Sequence, residues 1–475
     1  MDLIYGIKDK PKLSQVILFA LQQLLAIMAA TIAVPAAVNG QLLGKGLEAS
    51  GLSASAALFG AGVGTIVYLL FTKSKSPVFL GSSFAFIDSI AAAFSGALSI
   101  GLSASAGYWG IIIGAAMAAL IYVIIAIIVK FCGVKWIDKL MPPVIIGPTV
   151  ATIGLSLAGS AVSSITSSSA EGGSVYVCLI CGLVTLAVTM LCSVYGKKLG
   201  KLIPFILGIL AGYALASIFY LIGKASGNDA LIVINYGAFK DCGLFKLPDF
   251  TFILGKGGLS EITGEYLVTL FAAYVPVAFV VFAEHLADHK NLSTIVGVNL
   301  LEEPGLTRTL LGDGIGSFAG ALFGGCPNTT YGESIACVAV TKNASTVSIW
   351  GAAIACFIFS FIGPLVAFLE SIPGCVMGGV CFALYGFISV SGLKMLQKVD
   401  FNDNRNLFVA SFILIAGVGG LTLSFGNVVI RTTACALIFG ILFNVMLSKK
   451  SDKAPEEAAA EIAEAAEEVA EKIEE

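Results

Sequence analysis

Runs of about twenty apolar residues recur from one end of this chain to the other, and no other feature narrows its fold so far. A run of that length crosses a bilayer as a helix. Clear candidates lie near residues 14–39, 52–72, 107–131, 142–160, 175–196, 202–222, 264–288, 309–324, 346–368, 373–393, 406–422 and 427–448. Composition agrees: 57% of the residues are hydrophobic and 12% charged, where a soluble domain has about 25% charged. The expected class is an all-α polytopic protein of the cell membrane, with the lipid bilayer as its surroundings. No basic patch or array of aromatics sits on a polar face, which excludes nucleic acid as a partner. The first apolar run, Val16 to Val38, is longer than a signal h-region of about 7–15 residues and reads as a first span.

Two further stretches are apolar but interrupted. One is Gly324-Gly325-Cys326-Pro327-Asn328-Thr329-Thr330-Tyr331-Gly332-Glu333, and the other is Lys75-Ser76-Pro77-Val78-Phe79-Leu80-Gly81-Ser82-Ser83-Phe84. Broken backbone is tolerated at membrane depth only where it is buried in protein or lines a cavity. Transporters built from two repeats carry such a break in each half. Each stretch (near 77–94 and 326–342) is expected to cross as an extended piece followed by a half-helix.

Counting both breaks gives about fourteen crossings, seven before the 223–262 loop and seven after it, so the two halves have opposite orientation. The third and tenth crossings are the broken ones. This divides the chain into a first repeat (1–222), an extracellular loop (223–262), a second repeat (263–448) and a tail (449–475). Lys and Arg placement supports that count: 21 fall on one side, five on the other, and Arg431 near the start of the last span. By the positive-inside rule both termini are then cytoplasmic. From Ser451 onward ten acids face two lysines, net −8, and that tail reads as solvated and partly helical.

Four of the acids within or beside apolar segments stand out: Asp88, Glu284, Asp288 and Glu333. An ionisable residue there is a functional-site hypothesis by default. Glu284 and Asp288 are spaced i, i+4, on one helix face, and two buried carboxylates that close cannot both stay ionised cheaply. A proton-coupled carrier needs such a group; the competing reading is a solvated helix end. Glu333 precedes an apolar half-helix, where an acid also caps the helix dipole. The break itself and the polar Asn328, Thr329 and Thr330 argue for a cavity. Ser82, Ser83 and Phe84 bring hydroxyls and a ring from the other break. A ring facing two carboxylates suits a flat heterocycle that stacks on Phe84 and donates N–H groups to the acids.

Other motifs are weaker. His285 and His289 have the i, i+4 spacing of a helical zinc pair, but Leu286 stands where the H-E-x-x-H motif has Glu, and these are the chain's two histidines. No metal and no cofactor other than the coupling proton is expected, and no enzyme. Cys178-Leu179-Ile180-Cys181 has redox spacing, yet it lies in an apolar run without a second pair and reads as structural. The Asn-x-Ser/Thr matches at Asn291, Asn328 and Asn343 lie in or beside spans or on the cytoplasmic side and read as chance.

Pro327-Asn328-Thr329-Thr330-Tyr331-Gly332-Glu333 resembles the signature region of the nucleobase–ascorbate transporter family (nucleobase:cation symporter 2), and its form is most similar to the bacterial uracil permeases. The likeness extends through Leu21-Gln22-Gln23-Leu24 and Ala30-Thr31-Ile32-Ala33-Val34-Pro35, Leu80-Gly81-Ser82-Ser83-Phe84, Ala283-Glu284-His285, and Val376-Met377-Gly378-Gly379-Val380 with Leu384-Tyr385-Gly386. It implies two inverted seven-segment repeats sorted into a core and a gate domain, working by proton symport and alternating access. It also implies that Glu284 and Glu333 bind a nucleobase, that Phe84 packs on it, and that Tyr331 and Gly332 offer backbone contacts. Ser83, Ala30 and Tyr385 complete the expected substrate site, with Asp288, Glu284 or Glu333 carrying the proton. A homodimer through the gate domain is implied by the same analogy.

Substrate signs are mixed. In xanthine and urate carriers of the family the position of Glu333 is usually Gln, so the acid favours uracil. Uracil permeases often have His where this chain has Asp288, and xanthine carriers tend to have Asp. Uracil is the expected substrate and a purine the alternative. An anion transporter of the same architecture would want a cation where Glu333 stands.

Overall fold

The structure is a computed structural model describing residues 3–451, except 49, 134, 198, 241, 426, 427 and 431. The acidic tail and Arg431 considered above lie outside the described residues. The main helices are α1 (Leu13–Gly44), α2 (Ala54–Phe71), α3 (Ile87–Ser99), α4 (Ala104–Cys132), α5 (Pro143–Ser156), α6 (Val175–Tyr195), α7 (Pro204–Ser226), α8 (Gly264–Val296), α9 (Leu306–Gly324), α10 (Gly332–Thr341), α11 (Thr346–Phe359), α12 (Gly374–Met395), α13 (Asn404–Val418) and α14 (Thr432–Ser451). Two short strands precede the half-helices: β1 (Leu80–Ser82) before α3, and β2 (Asn328–Thr330) before α10. Among the described residues, eight helical stretches are long and apolar enough to cross a membrane: α1, α2, α4, α5 with its continuation to Ile165, α6, α7, α8 and α12.

Local chemistry sets where these helices start. Ser53, Ser103, Ser174, Thr263 and Asp403 each accept a hydrogen bond from a first-turn amide, satisfying a donor that has no partner inside the helix. Pro143 and Pro204 open α5 and α7, where a missing N–H costs nothing.

Small residues let the helices close up. A Cβ added at Gly64 of α2 would stand 2.7 Å from the Gly316 carbonyl oxygen of α9, and one at Gly316 would stand 2.7 Å from the Gly64 oxygen. The two backbones therefore touch, as small-residue stripes permit between membrane helices. The helices sort into two packed groups: α1–α4 with α8–α11, and α5–α7 with α12–α14.

Segments outside the spans are tied down as well. The N-terminal segment lies along the turn after α10, with Ile4 donating to the Lys342 carbonyl at 2.8 Å and Ala344 to that of Tyr5 at 2.8 Å. In the 223–262 loop, Lys246 pairs with Glu370 at 2.7 Å.

Candidate functional site

The two broken stretches pair with each other. Strands β1 and β2 are antiparallel, with Leu80 opposite Thr330, Gly81 opposite Thr329 and Ser82 opposite Asn328. The two strands hydrogen-bond each other, and neighbouring side chains take most of what is left. Thr65 of α2 donates its hydroxyl to the Leu80 carbonyl at 3.1 Å and accepts the Leu80 amide at 2.9 Å. Asn328 reaches the Gly60 carbonyl at 2.9 Å. Ser334 accepts the Phe79 amide at 2.9 Å and also bonds Gln23 of α1. Tyr331 donates its hydroxyl to the Ser82 carbonyl at 2.8 Å and its amide to that of Phe79. The ring of Tyr331 packs against Gly81, where a Cβ would collide with it. These bonds replace the water that a broken crossing lacks in hydrocarbon.

A cavity of about 370 Å³ opens where α3 and α10 leave this small sheet. That volume suits a small molecule. Its wall includes Ser83 and Phe84 from the first break, Thr329, Thr330, Tyr331, Gly332 and Glu333 from the second, and Glu284 and Asp288 from α8. Seven of the nine residues expected from sequence thus share one cavity. Ala30 and Tyr385 are not on its wall. Ala30 is fully buried in α1 and Ala26, one turn earlier, takes the lining position. Tyr385 is one layer back, its ring edge-on to Phe84 at 5.6 Å and 81°.

The polar groups on the wall divide into bound and unbound. Thr330 donates its hydroxyl to Asp288 Oδ2 at 2.7 Å, a bond that fixes the orientation of the carboxyl group. Ser83 Oγ and Thr329 Oγ1 are buried and have no hydrogen-bond partner among the described residues. The Tyr331 amide is taken by Phe79, so the first-turn donors of α10 without an intrahelical acceptor are the amides of Gly332, Glu333 and Ser334, that of Glu333 lying beside its own carboxyl group. An extended break feeding a helix N-terminus is a ready-made site for a carbonyl or an anion.

Helix α8 is held in register by its other face. His285 Nδ1 lies 2.7 Å from Asp313 Oδ2 of α9, and its Nε2 lies 3.1 Å from Thr309 Oγ1. His289 Nδ1 bonds the His285 carbonyl at 2.8 Å, and its Nε2 lies 2.7 Å from the Tyr68 hydroxyl, which bonds Ser76. Both imidazoles are buried and stacked, with ring centres 4.0 Å apart. They pin the helix so that Glu284 and Asp288, one residue back in each turn, turn toward the cavity. Asp88, the fourth acid, accepts from Gln41 of α1 at 3.1 Å and is not on the cavity wall.

Several lining residues escaped sequence reasoning. Asn291 and Cys337 were within reach of it, since Asn291 is i+7 from Glu284 and Cys337 i+4 from Glu333 on faces already chosen. Lys201, Phe205, Phe387, Ser391 and Met395 come from the other helix group and carry no local signal.

The chain matches the Permease family over residues 14–425. It belongs to that family. The resemblance read from its motifs is thereby borne out. This permease is 35% identical over 456 residues to the uracil permease of Bacillus subtilis (strain 168), covering 94% of this chain and 96% of the relative. It is 37% identical over 454 residues to the uracil permease of Bacillus caldolyticus, with 95% and 96% covered. Identity to the uracil permease of Escherichia coli (strain K12) is 34% over 454 residues, with 95% of both chains covered. Among solved structures, the permease resembles the transmembrane domain of a cyanobacterium bicarbonate transporter, BicA, with a TM-score of 0.55 at 16% identity over 92% of this chain and 98% of that one. It also resembles the murine anion transporter Slc26a9 in the inward-facing state, with a TM-score of 0.59 at 12% identity over 94% and 69%. At those identities the likeness is one of fold alone; that the permease is a multi-pass membrane transporter rests on its family and its apolar helices.

Proposed function

We propose that this permease imports a nucleobase, uracil, by proton symport and alternating access. The observation that carries the reading is the convergence of Glu284, Asp288, Glu333 and Phe84 on one cavity between two paired breaks. A pyrimidine ring fits it chemically. Its faces are apolar enough to lie against Phe84, its N–H groups meet Glu284 and Glu333, and its carbonyls meet the amides of Gly332 and Glu333 and the free hydroxyls of Ser83 and Thr329. Asp288, Glu284 or Glu333 takes the proton, because three acids around one small cavity repel each other unless a proton or the substrate offsets their charge.

The reading includes fourteen crossings in two inverted repeats, bounded at 1–222 and 263–448, with both termini cytoplasmic. It takes the first helix group as a core domain carrying the breaks and the second as a gate that meets a partner subunit. Uracil is preferred over xanthine or urate because the relatives compared above are uracil permeases and because Glu333 is acidic. The test is uptake into proteoliposomes under an imposed pH gradient, with a panel of bases. Labelled uracil should accumulate when the outside is acidic, and a protonophore should abolish accumulation. Unchanged accumulation without the gradient would sink proton coupling, and competition by xanthine at concentrations below uracil's own KM would shift the substrate to purines.

A further inference from the structure

Cys178 and Cys181, which lie on the first turns of α6, have a third thiol beside them. Cys375, on the first turn of α12, is within hydrogen-bonding reach of both sulfurs. All three are buried free thiols. The approach is built into the helix crossing. A Cβ at Gly182 of α6 would stand 2.7 Å from the Cys375 carbonyl oxygen, and a Cβ at Gly379 of α12 would strike the Gly182 carbonyl. Two glycines, each one turn beyond a cysteine, thus let the backbones meet at the level of the thiols. Ser168 of the preceding loop also hydrogen-bonds Cys178, and its half-exposed side chain puts the cluster next to the surface. The permease site makes no use of these residues.

We propose that Cys178, Cys181 and Cys375 form a thiol–disulfide exchange centre in which Cys375, shared between the two partners, staples α12 to α6 when a low-molecular-weight disulfide is present. The thiolate of Cys178 or Cys181, to which Cys375 donates its S–H, attacks one sulfur of the oxidant RSSR, forming a mixed disulfide and releasing RS⁻, which takes up the proton that cysteine lost. The Cys375 thiolate then attacks the protein sulfur of that mixed disulfide, closing the protein disulfide and releasing a second RS⁻, which takes up the proton of Cys375. Two protein thiols are oxidised and one RSSR becomes two RSH. The remaining cysteine sits beside the bond and can exchange into it. Because α6 carries Ser193 and α12 carries Phe387, Ile388, Ser391 and Met395 on the cavity wall, the staple would fix the relative position of two helices that line one side of the site.

The test uses the purified full-length protein in detergent, treated with oxidised glutathione. Remaining thiols are then blocked with N-ethylmaleimide in denaturant, and the digest is read by mass spectrometry. A peptide joining Cys375 to Cys178 or Cys181 is expected to account for most of the Cys375, while the exposed Cys132 gives at most a glutathione adduct. Cys178→Ser should move the bond wholly to Cys181, and Cys181→Ser wholly to Cys178. Full alkylation of Cys375 after oxidant, or a bond confined to Cys178 and Cys181, would overturn the proposal. The readout does not involve transport, so it stands or falls apart from the uracil assignment.

Discussion

The two broken segments pair strand to strand, yet they bring different side chains to the cavity. The first runs from β1 through a 3-10 turn at Phe84–Phe86 before α3 begins. It presents a ring and a free hydroxyl, and its own acid, Asp88, is turned to Gln41. The second passes from β2 straight into α10, with Tyr331 as the flanking residue and Glu333 in the first helical turn. It presents amides and a carboxylate. The backbone arrangement is shared because both strands must satisfy each other. The side chains diverge: the first break brings a ring and a hydroxyl to the cavity wall, and the second brings a carboxylate and hydroxyls.

The comparison can be broken most severely at Glu333. Glu333→Gln keeps the shape of the second break but removes its charge, and uracil uptake should fall roughly 10- to 150-fold, in line with the ~1.5–3 kcal/mol of a charged hydrogen bond. Folded yield, read by size-exclusion profile, should be unchanged, and retained uptake would refute the assigned role. The shared feature is attacked by Gly81→Leu, which drives a side chain into the Tyr331 ring. Overpacking of that kind costs about 1–3 kcal/mol, so the detergent melting temperature should drop and uptake fail with it. A normal melting curve would show that the strands can separate.

Phe84→Leu sharpens the contrast from the other side. The lost ring contact of about 0.5–1.5 kcal/mol should weaken uracil binding roughly two- to tenfold, measured by ligand-dependent thermal shift, with the pH dependence of uptake unaltered. The smallest effect belongs to a contact that leads into the first break. Lys75 Nζ lies 2.7 Å from Glu303 Oε1 with both side chains largely exposed, and its hydrogen bond and charge hold the Glu303 carboxyl below its usual range. A lowered carboxyl pKa adds stability above the unfolded value of about 4.3 and loses it as pH falls through the folded value. Lys75→Ala should therefore lower the melting temperature by no more than about a degree above pH 5, and the difference should vanish below about pH 4.

Legibility followed distance along the chain. Glu284, Asp288 and Glu333 were readable because acids in apolar runs are costly, and the i, i+4 spacing of the first two set their face. Phe84, Ser83, Tyr331 and Gly332 were readable because they flank a Gly/Pro break or match a family motif. Ala30 was drawn from a motif alone, which identifies a helix but not the turn of it that meets the cavity, and Ala26 lines it instead. Asp313 was passed over although it binds His285, because a lone acid in α9 has no spacing partner. The Cys178-x-x-Cys181 pair had looked isolated because its third member is 194 residues further along the chain.

Apolar run length by itself determined that this chain is a multi-pass membrane protein, and the two breaks pointed to the segments that line the cavity. Those are local properties, since each helix must satisfy its own backbone before it meets another. Only the tertiary structure decided which surfaces meet. The pairing of β1 with β2, the Asp313 and Tyr68 bonds that orient α8, and the residues supplied by the second helix group all depend on contacts between segments tens to hundreds of residues apart. Helices that are apolar nearly all round leave those contacts to close-packed shape and a few buried hydrogen bonds, and no periodicity in the chain records either.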